Sequence, residues 1–453
     1  MDETAHLAAH AATLAFDSIP DDAVAHAKRS IRDYVGLCLY GSQHPVGETA
    51  TRYVDLYSDG SDATILGHGT TSGPHAAFVN GATGHAVDYD DTFEAVVIHP
   101  SCTAFPAALA AAELEGRSGR DLLCGYVAGL DVLFRVGESL APSHWHRGWH
   151  STATVGVFGA AAAAGSVLKL APSTLEQAFG LAASFASGLK KNSGTMGNPL
   201  HCAHAAQMGT VAALLAANGA TADRAILEGR FGYGELVTTE GGYTPERITD
   251  PTVEWAVLDN GFKPYPSGVV THSAMEALRL IVERNTLAAD DVVSITVTVD
   301  EGVTDTIDES DPQTALEAMG SYEFCLAAIL REGTVGVREF SDEYVREERT
   351  REQMAKVYVE AETDPFDSAT AEASYGSRVE VVTADGASFV ESVLDAPGSP
   401  SNPLSEDRLR RKFFECAEYR LARERAEAVE AAVLSLEEPG MLDRLTELAV
   451  PTE

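Results

Sequence analysis

The chain shows two kinds of hydrophobic pattern, which change over at about residue 268. Before this point, alanine-rich segments with apolar residues on most helical faces are separated by glycine and proline, as in AFPAALAAAELEG, VGVFGAAAAAGSVLKLA and HAAQMGTVAALLAANG. Apolar residues on nearly every face are typical of helices buried inside an all-α domain. The pattern therefore predicts a helical domain over residues 1–268.

Beyond residue 268 the pattern favours strands. VVSITVTVDEG alternates with period two from Val292, and SRVEVVTADGASFVESVL predicts a hairpin that turns at Asp385-Gly386. A segment rich in Pro and Ser then precedes helix-period sequence from Glu406 to the end. The predicted fold class is mostly α, with a large helical domain built from both chain ends (1–268 and 401–453) and a smaller α+β domain (269–400) inserted between them.

The charge composition narrows the possible partners. The chain of 453 residues carries 68 acidic and 32 basic side chains, a formal net charge of −36, and only seven of the basic residues are lysines. A surface of this sign repels nucleic acid phosphates and anionic membranes, so neither is expected as a partner. Because the acids are spread along a chain with 45% hydrophobic residues, we interpret them as the solvated surface of a protein adapted to high salt.

Cysteine usage and the N-terminal residues indicate the compartment. The six cysteines form no CxxC pair, so we expect buried thiols in a reducing compartment and neither a zinc–thiolate nor an iron–sulfur site. The first residues lack a basic segment followed by an apolar core, and the longest apolar run, 155–170, is too short to span a bilayer. A cytoplasmic protein is predicted.

The stretch HAVDYDDTFEAVVIHPSCT, which begins at residue 85, concentrates acids and histidines. If the preceding helix continues through it, His85, Asp88 and Thr92 fall at i, i+3 and i+7 and share one face, while Asp90 and Asp91 point elsewhere. One face then carries a base, a carboxylate and a hydroxyl, which indicates a catalytic wall. The alternative is a solvated acidic helix end in a very acidic protein.

A second group of histidines lies in HWHRGWHSTATVG. His144 and His146 suggest a metal site, but a third ligand at a familiar spacing is missing, so we expect no metal. His150 directly precedes Ser151 and Thr152, which are good N-cap residues for the alanine-rich helix that follows. Its imidazole is expected at a helix N-terminus, which lowers its pKa and attracts anions. The alternative is a surface histidine beside two tryptophans.

The lysines cluster near further histidines. Lys190 and Lys191 are adjacent in LKKNSGTMGNPLHCAHAAQ, beside a glycine-containing loop, and Lys263 lies in GFKPYPSGVVTHS, which also contains His272. In a chain that otherwise avoids lysine, these residues are interpreted as contacts for an anion, although a solvated turn remains an alternative for the lysine pair.

Together these groups favour acid–base chemistry. All fourteen histidines lie at or before His272, so proton transfer near neutral pH belongs to the helical part or its border. The sequence has neither a GxGxxG nor a GxxxxGK[ST] phosphate loop, and no GxSxG elbow. Acids, bases and a few cations suit proton abstraction beside a carboxylate of a small polyanion.

Several blocks in order resemble one family. HAVDYDDT, HPS, GWHSTATVGVFGAAAAA, GTMGNPLHCAHAAQMG, ILEGRFGY, FKPYPSGVVTH and PGSPSNPLSEDRLRRKF are similar to blocks of the MmgE/PrpD family, which includes 2-methylcitrate dehydratase, cis-aconitate decarboxylase and iminodisuccinate epimerase. The resemblance runs to about residue 415. It implies a helical domain with an α+β lid and a homodimer, without a metal or an organic cofactor.

The resemblance also assigns site residues by position. It implies catalytic roles for Asp88, His99, His150 and Lys263. The expected substrate-binding residues are Thr92, Lys190, Lys191, Asn198, His204 and His272. Asn198 and His204 stand where many relatives carry a lysine and an arginine, so two cationic contacts to substrate carboxylates are missing. A smaller or less charged acid is therefore expected as the substrate, and Lys190 and Lys191 are candidates to replace the lost charge.

The resulting functional hypothesis is a cofactor-independent lyase that acts at the α-carbon of a small di- or tricarboxylate. A hydro-lyase similar to 2-methylcitrate dehydratase is the first expectation. The alternatives are an isomerase, an epimerase or a decarboxylase of the same family, and a polycarboxylate-binding protein without catalytic activity. The retained acid–base residues favour an enzyme.

Overall fold

The computed structural model describes residues 2–253, 255–304, 309–363, 365–366 and 375–451. The part before residue 268 is mainly helical, as predicted. Its elements are α1 (Glu3–Thr13), α2 (Asp21–Gly41), α3 (Pro45–Asp55), β1 (Ala63–Ile65), β2 (Gly69–Thr71), α4 (Gly73–Gly84), α5 (Ser101–Leu114), α6 (Gly119–Leu140), α7 (Ser143–His146), α8 (Ser151–Val167), α9 (Pro172–Phe185), α10 (Gly197–Ala217) and α11 (Tyr233–Val237). The strands β1 and β2 form a short antiparallel pair.

Helix α8 lies at the centre of this part and is buried along its whole length. Helices α5, α6 and α10 pack around it. Small residues allow the close approach, because a Cβ atom added at Gly129 of α6 would lie 2.8 Å from the carbonyl oxygen of Gly159 in α8. Because these segments are rich in alanine and glycine, the helix backbones approach one another closely. The N-terminal end of α8 is therefore held in a tightly packed, rigid core.

Helix α10 is long and apolar enough, by length and composition, to cross a membrane, and half of that stretch is buried inside the protein. It packs against α4, α8 and α9. A core helix of a soluble protein has these same properties, so the helix is weak evidence for a membrane span. The cytoplasmic location stays a prediction.

The second part of the chain combines helices with a four-stranded sheet. Its elements are α12 (His272–Asn285), β3 (Val292–Asp300), α13 (Glu301–Thr304), α14 (Ala315–Ala318), α15 (Tyr322–Glu332), α16 (Asp342–Arg346), α17 (Glu348–Met354), β4 (Val357–Glu362), β5 (Ser377–Thr383) and β6 (Ser388–Val393). The strand order is β4-β3-β5-β6. Strand β3 is parallel to β4 and antiparallel to β5. Strands β5 and β6 form the hairpin predicted around Asp385-Gly386.

The C-terminal helices α18 (Glu406–Ala417), α19 (Arg423–Leu434) and α20 (Met441–Ala449) complete the fold. Helices α18 and α19 pack against α2, so the end of the chain returns to its beginning. The Nζ atom of Lys412 in α18 donates to Asp33 Oδ2 of α2 at 2.8 Å and to the carbonyl oxygen of Tyr89 at 2.7 Å. The mostly α fold class is confirmed, while the domain limits drawn from the sequence stay a prediction.

The acidic composition leads to a prediction about salt. Mutual repulsion of a net charge of −36 destabilises the compact state in dilute buffer, and ions screen this repulsion. We expect the melting temperature to rise between low and molar sodium chloride, measured by differential scanning fluorimetry. Equal melting temperatures would contradict the adaptation to high salt.

Candidate active site

The acidic stretch lies in a loop and not in a helix. Helix α4 ends at Gly84, and the predicted continuation of this helix to Asp91 is wrong. Asp88 adopts a left-handed backbone conformation with φ 47°, which a helix does not accommodate. The ammonium of Lys263 stabilises this conformation, because it donates to both the carbonyl oxygen and Oδ1 of Asp88 at 2.6 Å. A contact between distant parts of the chain thus overrides the local helical pattern.

Asp88, Lys263 and His99 form the centre of the site. Lys263 is 1% exposed and pairs with Asp88 Oδ1, and His99 Nε2 lies 3.4 Å from the same oxygen. Burial raises the pKa of Asp88, but nearby positive charge, above all that of Lys263, outweighs this effect and lowers the pKa overall. The carboxylate therefore stays ionised at neutral pH, paired with a buried cation.

His99 presents a basic atom to this pair. Its Nδ1 lies 2.9 Å from the carbonyl oxygen of Asp91, which can only accept a hydrogen bond. The neutral ring therefore carries its proton on Nδ1 and leaves Nε2 unprotonated beside Asp88. Burial is the main cause that lowers the pKa of His99 to about 4. In the substrate-free site, His99 is thus a neutral imidazole able to accept a proton.

His85 and Asp90 form a second, buried pair. His85 Nδ1 donates to Asp90 Oδ1 at 2.8 Å, and Asp90 is fully buried. Burial lowers the pKa of His85, but Asp90 outweighs it, so that the pKa is raised well above the ordinary value. His85 is therefore an imidazolium at neutral pH. The sequence prediction placed His85 on the catalytic face as a base but missed its pairing with Asp90, because on a continuous helix Asp90 points away from His85.

His150 takes the N-cap position of α8. The helix begins directly after it, as predicted, but His150 itself occupies the N-cap position that was expected for Ser151 or Thr152. Its ring centroid lies 6.3 Å from that of His85, and its Nδ1 lies 3.3 Å from Nδ1 of His201 on α10. Burial, followed by the charges of His85 and His201, holds the pKa of His150 well below its usual value.

Comparison with known proteins decides the family. The model of the MmgE/PrpD N-terminal domain matches residues 5–246, and that of the MmgE/PrpD C-terminal domain matches residues 265–438. The chain belongs to the MmgE/PrpD family. The resemblance noted in the sequence is thereby confirmed.

The similar MmgE/PrpD proteins include several cis-aconitate decarboxylases. The protein of that name from Mus musculus is 29% identical over 441 residues, which cover 94% of this chain and 88% of the relative. The Homo sapiens protein is 28% identical over 93% of this chain and 89% of its own length. A cis-aconitate decarboxylase from Aspergillus terreus is 26% identical over 98% and 94%. These relatives are lyases by name, which supports the general prediction of a lyase-type family member.

Two residues of the MmgE/PrpD motif hold the loop in place. Thr92 is buried and exchanges two backbone hydrogen bonds of 2.9 Å with Gly261. Asp91 accepts from Ser101 at the start of α5 and from the Asn260 side chain. Burial is the main cause that raises the pKa of Asp91 to about 7. Asp91 thus fastens the loop that carries Asp88 and His99, although the helical pattern predicted only that Asp91 points away from the catalytic face.

The other residues predicted to bind substrate lie in different places relative to the cluster. The Asn198 amide lies 3.4 Å from His85 Nε2 and therefore at the cluster. The Lys190 ammonium lies 4.1 Å from the centre of the Trp145 ring, and Lys191 is exposed. These assignments stay predictions, and that of Asn198 is accompanied by a contact to the cluster.

The two remaining histidines of that group bond to backbone. His204 Nε2 lies 3.3 Å from the carbonyl oxygen of Phe185. His272 is buried, with its Nε2 3.1 Å from the carbonyl oxygen of Ser267. Lys263 and Asp88 both contribute to the shift of the His272 pKa, which burial lowers most. His272 therefore lies close enough to this ion pair to feel its field.

The HxH motif does not assemble a metal site with its two histidines. His144 is buried and bonds to Thr154 Oγ1 at 2.7 Å and to the carbonyl oxygen of Val237 at 3.3 Å, whereas His146 is exposed. Two other groups bring possible ligand atoms within 4.8 Å of one another. They are His85, His150 and Cys202, and His85, Asp88, Asp90 and His99.

A cavity of about 680 Å³ opens beside the cluster. Its wall includes Ile98 and Ser151, the chain neighbours of His99 and His150, and Val269 at the junction of the two parts of the chain. This volume is in the usual range for small-molecule sites. None of Asp88, His99, His150 and Lys263 lines this cavity, so it adjoins the cluster only through their chain neighbours.

Proposed function

We propose that this member of the MmgE/PrpD family is a cofactor-independent lyase for a small di- or tricarboxylate, and that it decarboxylates an acid of the cis-aconitate type. One observation carries the proposal. The ion pair of Asp88 and Lys263 lies beside His99, and the His85–Asp90 pair and His150 complete the same cluster. The names of the relatives favour decarboxylation over the dehydration that the sequence suggested first.

The cluster fits a polyanionic substrate electrostatically. His85 is cationic in the free site, and the Asn198 amide beside its Nε2 adds a neutral donor. A substrate that brings two or three negative charges raises the pKa of every imidazole near it, because opposite charge favours the protonated form. His150 and His99 are then able to take up protons on binding. Substrate binding thus converts neutral bases into acids where the reaction needs them.

Decarboxylation of such an acid requires one proton and no oxidant. In a substrate with the skeleton of cis-aconitate, the bond between the CH₂ carbon and its carboxylate breaks and CO₂ leaves. The released electron pair forms a new C=C bond, and the pair of the former double bond takes a proton at the far carbon. We assign this proton to His150, while Lys263 and the N-terminus of α8 stabilise the negative charge that develops on the adjacent carboxylate.

Dehydration remains the second candidate, because His99 Nε2 is the basic atom that this reaction needs. It would remove the α-proton of a hydroxy acid, and a protonated His150 would donate to the departing hydroxyl. Both reactions use the same residues, so the substrate decides between them.

Proton NMR in D₂O distinguishes these possibilities. The protein is incubated with cis-aconitate, 2-methylcitrate and other small di- and tricarboxylates, one at a time. We expect cis-aconitate to lose CO₂ and give an unsaturated dicarboxylate with one deuterium. Loss of water from a hydroxy acid would instead support the dehydratase. If all acids stay unchanged and unexchanged while they still bind, the protein is a carboxylate-binding relative and the proposal is wrong.

Turnover is expected to survive removal of metal ions. The proposed steps need only a positioned acid, a base and a cation, which the side chains provide. Prolonged dialysis against a chelator should leave kcat unchanged, measured with the acid identified by NMR. A loss of turnover that zinc, iron or magnesium restores would contradict the acid–base mechanism.

The predicted homodimer is tested separately by light scattering.

A further inference from the structure

One buried thiol at the cluster has no part in the proposed reaction. Cys202 is fully buried on α10, with its Sγ 3.9 Å from the carbonyl oxygen of Asn198, one helical turn earlier, and its thiol also interacts with His85 and Cys102. A ligand atom of Cys202 lies within 4.8 Å of ligand atoms of both His85 and His150. The spacing of cysteines in the sequence predicted no zinc–thiolate site, yet the fold brings one thiol beside two imidazoles.

We propose that His85, His150 and Cys202 form an inhibitory binding site for a soft divalent cation such as Zn²⁺. Zn²⁺ binds imidazole nitrogen at about 2.0–2.1 Å and thiolate sulfur at about 2.3 Å, so ligand atoms of a tetrahedral site lie about 3.3–3.8 Å apart. Since the three ligand atoms lie within 4.8 Å of one another, each separation is at most about 1.0–1.5 Å longer than in a zinc site. The metal site itself stands independently of the proposed function, and only its inhibitory effect depends on that function.

The second observation in favour of the site is the orientation of His85. Its Nδ1 donates to the fully buried Asp90 at 2.8 Å, which leaves Nε2 for another partner. A carboxylate that holds the distal ring nitrogen is the usual support for a histidine that binds zinc. The contact of Nε2 with the Asn198 amide is long, at 3.4 Å, and a metal ion can displace it.

The donor set selects the kind of cation. One thiolate and two imidazoles suit Zn²⁺ and related soft ions, whereas Mg²⁺ and Ca²⁺ prefer oxygen ligands. The neighbouring group around Asp88 is a poorer candidate, because the Lys263 ammonium already lies 2.6 Å from Asp88 Oδ1. A metal ion bound to Asp88 would be repelled by the neighbouring Lys263 ammonium. The three-ligand group is therefore the better metal site.

Metal binding would block the proposed proton donor. Cys202 loses its thiol proton and the His85 imidazolium loses its Nε2 proton, both to solvent. A metal–sulfur bond then forms, and the lone pairs of the two imidazoles bind the same ion. Water or a substrate carboxylate takes the fourth position. Since the lone pair of His150 is then used by the metal, His150 cannot carry a proton to the substrate. The ion thus holds the enzyme in an inactive state until a chelator removes it.

Cobalt titration tests the site without any activity measurement. We expect the metal-free protein to bind one Co²⁺ per chain and to show thiolate-to-cobalt charge-transfer absorption. Cys202→Ser should abolish this absorption, whereas Cys102→Ser should retain it. Cys102 is a matched control because it is an equally buried thiol near the cluster, with its Sγ 3.1 Å from the carbonyl oxygen of His99. Absorption that persists in Cys202→Ser would overturn the assignment.

X-ray absorption of the zinc-loaded wild-type protein covers the case in which Cys202→Ser does not fold. One sulfur at about 2.3 Å and two imidazole nitrogens are expected around the metal. A shell of oxygen and nitrogen alone would overturn the site.

Zinc inhibition tests the regulatory consequence. Zinc should abolish turnover of the wild-type enzyme and a chelator should restore it, while Cys202→Ser should keep its basal turnover and need at least about 10-fold more zinc, the lower end of the loss seen when a zinc site is weakened. Cobalt binding at Cys202 without inhibition by zinc would overturn the regulatory role alone. An absence of lyase activity would contradict the proposed function and leave the spectroscopic test intact.

Discussion

Replacing His150 with glutamine should lower kcat by about 10²–10⁴-fold and change KM only modestly, the scale on which a general acid or base contributes. Glutamine keeps the size and polarity of the side chain but cannot transfer a proton. His150 lies at the start of α8, beside His85 and His201, so its loss removes the proton donor and leaves most substrate contacts in place. Steady-state kinetics on the acid identified by NMR gives both constants.

The control for this variant is His146→Gln. His146 lies four residues earlier and is exposed, so its replacement should leave kcat unchanged. His144 is unsuitable as a silent control, since its hydrogen bonds to Thr154 and Val237 support the first turn of α8. A fully active His150→Gln enzyme would remove the proton donor from the mechanism. Circular dichroism of both variants shows whether a loss of activity follows from a loss of folding.

Replacing Lys412 with methionine should lower the free energy of unfolding by about 3 kcal/mol, the lower end of the range for breaking a buried ion pair. Lys412 and Asp33 are 4% and 3% exposed, so the variant leaves a buried carboxyl group without its cation. Burial raises the pKa of Asp33 even in the presence of Lys412. The unpaired carboxyl group will therefore take up a proton, which limits the loss.

The pH dependence of this defect follows from the same shift. A carboxyl group whose pKa is raised in the folded state binds protons more tightly there than in the unfolded chain, so its contribution to stability falls as the pH rises. The Lys412→Met defect should accordingly be larger at pH 8 than at pH 5, measured by urea unfolding. The pair of the exposed Lys169 and the half-buried Asp121 is the control, and Lys169→Met should cost less than about 1 kcal/mol. A defect of equal size in both variants would contradict the role assigned to Lys412.

The sequence predicted the elements whose signal is local. The alternation in β3, the hairpin at Asp385-Gly386 and the start of α8 after His150 depend on neighbouring residues, and the structure confirms each of them. Binding and catalytic motifs in the right order also led to the family. These features could be predicted because period, turn residues and capping positions are visible within a short window.

The conformation of the acidic loop could not be predicted in this way. Its left-handed Asp88 is held by Lys263, which is 175 positions away, and the pairing of His85 with Asp90 exists only once the helix has ended at Gly84. Helical periodicity applied to this stretch extends α4 beyond Gly84 and places the side chains of His85 and Asp90 on different faces. The sequence shows that His85 and Asp90 are five residues apart. Only the turn between them in the structure brings their side chains into contact.

The ion pair of Lys412 also bears on when the enzyme becomes competent during synthesis. Lys412 donates to the carbonyl oxygen of Tyr89, between Asp88 and Asp90, across 323 positions of the chain. While the ribosome is still making the middle of the protein, the catalytic loop lacks this anchor, although the helices around α8 have already been made. The nascent chain is therefore expected to hold its helical core before it can turn over substrate, and activity begins only after α18 has emerged and docked on α2.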